Sequence, residues 1–284
     1  EGVQKLADMN TDWYDILFKD LSVNHHAGAT IRGGSKVVQY YSSLGYNYDQ
    51  GMLKTDRLNQ FNCNIRNNQI TFRTNLNINL HAGIKLVINS SASLDSYKGP
   101  LVDTQTAYSL AFNASPVDFA PTYPGDKKYG WPHLRFGTTS SGPKVDRNPY
   151  ALLQQGYKKR IRYSTINKAE YIQNLSVLVK GLELRLSAAL VQSGLYDQSF
   201  TTRPYYYSLP EGNYDFETGE HTLVEDGDNY GSSRTLSTGI SNSATDTRVT
   251  FEGRLYHTAA WGDHQTSLTG VCQMYERTFS PIRE

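Results

Sequence analysis

The chain lacks long hydrophobic runs, and none of its stretches approaches the roughly 18 consecutive apolar residues that indicate a transmembrane helix. Only 38% of its 284 residues are hydrophobic and the mean hydropathy is −0.55, which is low for a chain that must close a large soluble core. The sequence therefore excludes membrane-spanning helices. It does not exclude transmembrane strands, because each of these needs only about 9–11 tilted residues.

Cysteine is scarce, with two residues, and neither sign of charge is in excess. The 28 basic and 27 acidic residues leave a net charge of +1, which excludes a nucleic-acid footprint and a disordered acidic tail. Cys63 and Cys272 are too few and too far apart for a disulfide framework or a zinc site. The sequence contains no G-x-S-x-G, no H-E-x-x-H and no glycine-rich phosphate loop. We therefore predict that the protein is not an enzyme, needs no cofactor and binds no nucleic acid.

Tyrosine, in contrast, is abundant, with 21 residues against 10 phenylalanines. Its ring is apolar and its hydroxyl is polar, so tyrosine is favoured at boundaries between apolar and aqueous surroundings. From Val38 to Tyr48 every second residue is largely apolar, and the residues between them are small or polar. Alternation with period two predicts a strand, and this one exceeds the usual length of about 5–6 residues.

The alternation returns along the chain between short turns and long, irregular segments. A helix is predicted within 10–20, with Asn10 or Thr11 as its N-cap, and a second helical patch at 104–112. A strand is predicted at 59–66. Short turns are predicted at Gly33-Gly34-Ser35, His81-Ala82-Gly83, Lys180-Gly181 and Gly262-Asp263. The predicted order is a lead-in helix (1–24), strands (25–97), a long loop (98–166), a hairpin (167–196), a second long loop (197–233) and strands (234–284).

Short turns at one end and long loops at the other are typical of outer-membrane barrels. We predict an all-β fold: an antiparallel up-and-down transmembrane β-barrel segment of about nine or ten strands with long extracellular loops. Tyr46 and Tyr48 are expected in an interfacial girdle, and charges such as Glu252 and Arg254 are expected to face a wet interior. The alternative is a soluble β-sandwich carbohydrate-binding module, whose strands are rarely this long.

Aromatic residues of the long loops are the candidate ligand-binding residues: Trp131, Tyr205, Tyr206 and Tyr207. Aromatic faces beside polar side chains suit sugar or peptide ligands, because stacking and directed hydrogen bonds act together. The alternative is that these rings pack the loops against one another or against a partner. No catalytic residue and no metal site is predicted. The only candidates for calcium are Asp226 and Asp228, which lack EF-hand spacing, so a solvated loop is the preferred interpretation.

Several segments together resemble the SusC/RagA family of TonB-dependent outer-membrane transporters from Bacteroidetes. The most specific are NTDWYDILFKD, similar to the family's helix ahead of a hairpin, and NHHAGATIRGGSKVVQYYSSLGYNYDQGML, similar to that hairpin with its GGS turn. Three further segments resemble later strands of the family: FRTNLNINLHAGIKL, KGLELRLSAAL and WGDHQTSLTG. One segment, NPYALLQQGY, resembles a loop. The chain departs from the family in the two histidines and the arginine at 25–32 and in the extra asparagines at 70–80.

The resemblance implies a wall segment of a roughly 22-stranded barrel in the bacterial outer membrane. It implies import of glycans or peptides with a SusD-like surface lipoprotein, energy from TonB-ExbB-ExbD, and a dimer of transporter–lipoprotein pairs. Any calcium would belong to the loops or to that partner. Family members also carry a carboxypeptidase-like domain, a TonB-box region and a plug. We therefore expect the chain to be an internal piece that lacks these parts and the signal peptide.

Overall fold

Twelve strands make up most of the structure, and eight of them form one antiparallel sheet, the wall sheet. The computed structural model describes residues 10–55, 61–123, 133–139, 148–210, 212–215, 217–218, 220–226 and 235–282. The strands are β1 His25–Gly34, β2 Val38–Gln50, β3 Arg66–His81, β4 Ile84–Pro100, β5 Thr122–Tyr123, β6 Arg135–Gly137, β7 Gly156–Asn174, β8 Leu182–Thr201, β9 Tyr205–Ser208, β10 Val224–Glu225, β11 Ser237–Trp261 and β12 His264–Ile282. The order in the wall sheet is β1-β2-β3-β4-β7-β8-β11-β12, so β1 and β12 are its edges.

The remaining elements are small. Four short strands form a second sheet in the order β10-β9-β6-β5. The helices are α1 Trp13–Leu17, α2 Thr104–Asn113 and α3 Pro149–Leu153, and α2 confirms the helical patch predicted at 104–112. Within the described ranges, no helix is long and apolar enough to cross a membrane.

The connections of the wall sheet are short at one end and long at the other, as predicted. The short ones are 35–37, 82–83, 175–181 and 262–263, and the long ones are 51–65, 101–155 and 202–236. Gly83 and Gly262 lie in the two-residue turns with φ values of +87° and +57°, a conformation that glycine adopts without steric cost. We refer to the short-turn end and the long-loop end of the sheet below.

One face of the wall sheet, the apolar face, carries large hydrophobic side chains that the protein leaves exposed. Residues paired across neighbouring strands share a face, so the register of the sheet defines rows of side chains. The row Tyr46, Ile70, Leu94 and Tyr163 crosses four strands, and these residues are 39%, 43%, 43% and 39% exposed. No second sheet covers this face in the described part of the chain, which fits the predicted barrel segment and differs from the packing of a β-sandwich.

The hydrophobic core of the protein lies among the loops at the long-loop end. We call this assembly the loop cap; it comprises α1, α2, α3, the short strands and the described loop residues between them. Its buried cluster contains Trp13, Leu17, Leu53, Ala107, Ala111, Phe119, Phe136, Tyr150, Ala151, Leu153 and Tyr206. The described parts of the long loops therefore pack together as one unit.

Asn148 links three segments of the loop cap. Its Nδ2 donates hydrogen bonds to the carbonyl oxygens of Pro121 (3.0 Å) and Gly137 (2.9 Å). Its Oδ1 accepts from the backbone N–H groups of Tyr150 and Ala151, which makes Asn148 the N-cap of α3. The side chain is 1% exposed, so all of these bonds are shielded from water.

Helix α1 fixes the lead-in segment to the loop cap. The predicted N-cap at Asn10 or Thr11 is wrong: the N-cap is Asp12, because its carboxylate accepts the N–H groups of Tyr14 and Asp15. The helix is short, with five residues. Trp13, its first residue, is 3% exposed and donates its indole N–H to the carbonyl oxygen of Ser115 at 3.0 Å.

The strand predicted at 59–66 is wrong for residues 61–65, which form a loop; its first two residues lie outside the described residues. Cys63 is 0% exposed and its thiol contacts Gln154 Oε1 at 3.7 Å. Asn64 is also buried, at 1% exposure. Adjacent residues are thus both buried in the loop cap, and the alternation in the sequence does not mark a strand here.

Other predicted boundaries also differ. The wall sheet has eight strands among the described residues, fewer than the predicted nine or ten. Strand β7 begins at Gly156, well before position 167, because its polar start pairs with the end of β4. The first turn lies after the two glycines of β1, since Ser35 Oγ accepts the N–H groups of Val37 and Val38.

Candidate functional site

The second face of the wall sheet, the charged face, holds its ion pairs. Among the described residues, every ion pair of the sheet that involves lysine or arginine lies here: Arg160–Asp197, Lys168–Glu170, Arg185–Glu170, Arg185–Glu183, Arg254–Glu252 and Arg277–Asp246. Arg277 donates two bonds to Asp246, with Nε to Oδ1 at 2.9 Å and Nη2 to Oδ2 at 2.7 Å. The two faces thus differ in that the lysine and arginine ion pairs are confined to one of them.

A row of hydrogen-bonding side chains crosses the charged face. His26 Nδ1 lies 3.0 Å from Asn47 Oδ1, and Asn47 Nδ2 donates to Gln69 Oε1 at 3.0 Å. In the register of the sheet, Gln69 is opposite Asp95, and Asp95 is opposite Arg162. Five neighbouring strands therefore contribute donors and acceptors at one level of this face.

This row leads into a concavity of about 530 Å³ on the charged face. Its polar lining includes Gln69, Asp95, Arg162, Ser193 and Asp246. Asp95 and Arg162 form no ion pair within 4.0 Å with any residue that the structure describes, although they face each other across β4 and β7. The volume falls in the range of about 300–1,000 Å³ that small-molecule sites occupy, and the lining suits a polar ligand.

The three predicted loop tyrosines lie on β9 and alternate between two environments. Strand β9 runs parallel to β6, with Tyr206 opposite Phe136. These two rings point into the core of the loop cap, with centroids 6.3 Å apart. Tyr206 is 4% exposed, so it packs the loops together, as the alternative interpretation expects.

Tyr205 and Tyr207 lie on the other side of β9 with two residues that the sequence did not indicate. His133 Nε2 is 2.9 Å from the Tyr207 hydroxyl, and its ring is 4.9 Å from that of Tyr205. The guanidinium of Arg135 is 5.1 Å from the Tyr207 ring centroid. Burial, assisted by the Glu225 carboxylate, raises the pKa of Tyr205, so its phenol is a neutral hydrogen-bond donor at physiological pH.

The other predicted site residues lie beside strand β9 or outside the described residues. Trp131 and Asp228 belong to the second group. Asp226 is 7% exposed, and its backbone N–H donates to the carbonyl oxygen of Tyr206 at 3.0 Å. Where the structure describes the chain, no three His, Cys, Asp or Glu side chains are grouped as metal ligands. The ligand-binding role of the loop aromatics stays a prediction.

No protein-family model matches the chain. Comparison with known proteins gives two relatives that are both named as TonB-dependent receptors. TonB-dependent receptor SusC of Bacteroides thetaiotaomicron is 26% identical over 197 residues, which is 65% of this chain and 18% of that protein. TonB-dependent receptor P26 of Formosa agariphila is 29% identical over 120 residues, 42% of this chain and 10% of that protein. The chain therefore spans less than a fifth of either curated relative.

Solved structures support the same fold. The RagAB peptide importer in its closed-closed state matches 96% of this chain and 27% of its own, with a TM-score of 0.56 and 14% identity. A second structure of the RagAB peptide transporter gives a TM-score of 0.57 over 96% of this chain, also at 14% identity. These relatives are named as receptors, importers and transporters, not as enzymes. The solved structures show that this chain has the fold of a wall segment of these transporters, and the curated relatives and the quoted motifs make it similar to SusC/RagA-like TonB-dependent transporters.

Proposed function

We propose that the wall sheet is part of a barrel in the bacterial outer membrane, through which glycans or peptides are imported. The observation that carries this proposal is the different character of the two faces: the lysine and arginine ion pairs of the sheet lie on one, and most of its exposed Leu, Ile, Phe and Tyr side chains lie on the other. A membrane barrel requires this arrangement, because one face meets lipid and the other a water-filled interior. The long-loop end would then be extracellular.

The import function rests on the charged face and on the resemblance to the named transporters. The concavity with Asp95 and Arg162 offers both charge signs and several hydrogen-bonding groups to a ligand that passes along the interior. Tyr205 is the loop aromatic best placed to contact a ligand, since Tyr206 and Tyr207 are 4% and 2% exposed. Energy would come from TonB-ExbB-ExbD acting on parts of the transporter outside this segment.

Labelling of the native cysteine Cys272 tests the membrane placement. Cys272 is exposed on the apolar face, beside Phe251 and Met274, whereas the next residue, Gln273, lies on the charged face opposite Glu252. In intact outer membranes we expect Cys272 to react with a lipophilic maleimide and not with a sulfonated one. A Gln273→Cys variant is the matched control and is expected to react with the sulfonated reagent from the aqueous interior.

Cys63 serves as an internal reference in the same experiment. It is 0% exposed, and burial raises the pKa of its thiol to about 11, so it stays protonated and is expected to remain unlabelled until the protein unfolds. Equal labelling of Cys272 by both reagents in intact membranes would contradict the placement of the apolar face in lipid.

We also propose that the loop cap contacts a SusD-like surface lipoprotein, within a dimer of transporter–lipoprotein pairs. The support is an exposed aromatic patch formed by Tyr14, Tyr108 and Phe112, which are 45%, 46% and 78% exposed. The ring of Tyr108 stacks on Phe18 with a centroid distance of 4.6 Å, which holds the patch in place. Exposed aromatic residues on a fixed surface are typical anchors of protein interfaces.

A Phe112→Glu variant tests this surface. Because Phe112 makes little contact with the rest of the protein, the fold is expected to be unchanged. Loss of a central aromatic anchor costs about 2 kcal/mol or more, so we expect capture of the lipoprotein in a pull-down to fall by at least about tenfold. Leu178→Glu, at a 76% exposed site at the short-turn end, is the control. Undiminished capture by the Phe112 variant would refute the assignment.

A further inference from the structure

A row of three cations lies on the apolar face at the long-loop end. Arg66 on β3 is opposite Lys98 on β4, and Lys98 is opposite Lys159 on β7. They belong to the apolar face because each is an even number of residues from Ile70, Leu94 and Tyr163, the row described above. Directly opposed residues of neighbouring antiparallel strands have Cα atoms about 4.5–5.5 Å apart, so the three charges form one compact cluster.

This arrangement is unfavourable for the protein alone. Like charges that face each other directly across strands are destabilising. On the charged face, cations such as Arg160 and Arg277 are neutralised by carboxylates of the same sheet. The three cations on the apolar face, in contrast, form no ion pair with any carboxylate among the described residues. An anion from outside the chain would relieve their mutual repulsion.

Aromatic rings next to the cations indicate the level at which this anion lies. Tyr157 and Phe200 stack with a centroid distance of 4.7 Å on the same face. Lys98 Nζ lies 4.1 Å from the Tyr157 ring centroid, and Lys159 Nζ lies 5.2 Å from that of Phe200. Aromatic rings with adjacent lysine and arginine side chains mark the boundary between hydrocarbon and headgroups. The cations therefore extend from the apolar face to headgroup level.

We propose that Arg66, Lys98 and Lys159 bind the phosphate groups of a lipid in the membrane leaflet on the long-loop side. The inference rests on the proposed membrane placement of the wall sheet. The lipid would carry more than one negative charge, because three cations converge on its headgroup and arginine and lysine form charge-assisted hydrogen bonds with phosphate oxygens. Its acyl chains would lie along the apolar face below, beside Leu94 and Ile161.

Binding of a phosphorylated glycolipid tests the site. The protein in its full natural length is purified in an uncharged detergent and titrated with a fluorescent bisphosphorylated lipid A; the same lipid after enzymatic removal of both phosphates serves as the reference probe. Each basic residue near an anionic lipid surface contributes about fivefold in affinity. We expect the variant R66Q/K98Q/K159Q to bind the phosphorylated lipid at least about tenfold more weakly and the reference probe unchanged.

The control variant K36Q/K85Q/K180Q loses the same number of charges at the short-turn end and is expected to bind like the wild type. Equal binding by the two triple variants would overturn the proposal, as would inorganic phosphate that binds the lipid-free protein as tightly as the lipid does. Loss of lipoprotein capture with unchanged lipid binding would overturn it as well, because the row would then be a protein interface. If the wild type does not partition into membranes at all, the proposed function itself fails, an outcome distinct from failure of this site.

Discussion

A Phe251→Arg variant is expected to assemble poorly in the membrane, with a loss of about 2–4 kcal/mol in the free energy of unfolding, the cost of an arginine near the middle of the bilayer on the lipid face of a barrel. Phe251 lies near the middle of β11, between Ala188 and Met274 on the apolar face, and it is 53% exposed. The directly opposed residues, Ala188 and Met274, offer no negative charge to the new guanidinium, and the nearest carboxylate on that face is Glu276, one row away opposite Val249.

The adjacent residue supplies the matched control. Thr250 lies on the charged face of the same strand, between Ala189 and Tyr275. A Thr250→Arg variant adds the same side chain one position away, toward the proposed aqueous interior, and is expected to lose less than about 1 kcal/mol. Both can be measured by urea titration of protein reconstituted in lipid vesicles. Equal losses for the two variants would contradict the assignment of the faces.

A Trp13→Ala variant is expected to destabilise the loop cap by about 3–5 kcal/mol, the usual cost of truncating a buried large aromatic residue. The ring is 3% exposed, lies 5.7 Å from the Phe119 ring, and its N–H is bonded to the carbonyl oxygen of Ser115. Because the wall sheet is held by its own ladders, the loss is expected to be local. Limited proteolysis within 101–155 would accelerate, while the strands stay paired.

A Tyr14→Ala variant is the control for this experiment, since Tyr14 is the next residue of α1 and is 45% exposed. It is expected to leave the rate of proteolysis within about twofold of the wild type, as for most surface substitutions. A Trp13→Phe variant retains part of the ring volume and loses the hydrogen bond, so it should fall between the two. If the Trp13→Ala variant were cleaved within 101–155 at the wild-type rate, the loops would have to be ordered by something other than this core.

The faces of the wall sheet could be predicted from the sequence, because a single-layered sheet leaves a signal of period two in every strand. The alternation from Val38 to Tyr48 identified the apolar face correctly, and Glu252 and Arg254 identified the charged one. In these regions each residue's environment depends on its immediate neighbours in the sequence.

The loop cap could not be predicted in the same way, because its contacts join residues that are distant in sequence. The side chains of His133 and Tyr207 meet across 74 residues, through the parallel pairing of two strands of three and four residues. Such strands are too short to show a period. The error at 59–66 has the same origin: the adjacent residues Cys63 and Asn64 are both buried by contacts with residues distant in sequence.

The composition of the loop-cap core also fixes an order of events during folding. Each strand of the wall sheet pairs with the wall strand before or after it along the chain, so pairing can advance from one strand to the next, and the entropic cost of closing the connection grows only slowly with its length. The core of the loop cap needs both Trp13 and Tyr206, and the second of these arrives only after β8 has returned the chain to the long-loop end. We therefore expect closure of the loop cap to be a late step of folding, so that a surface built from it, such as the patch around Phe112, forms only on molecules whose wall strands are already paired.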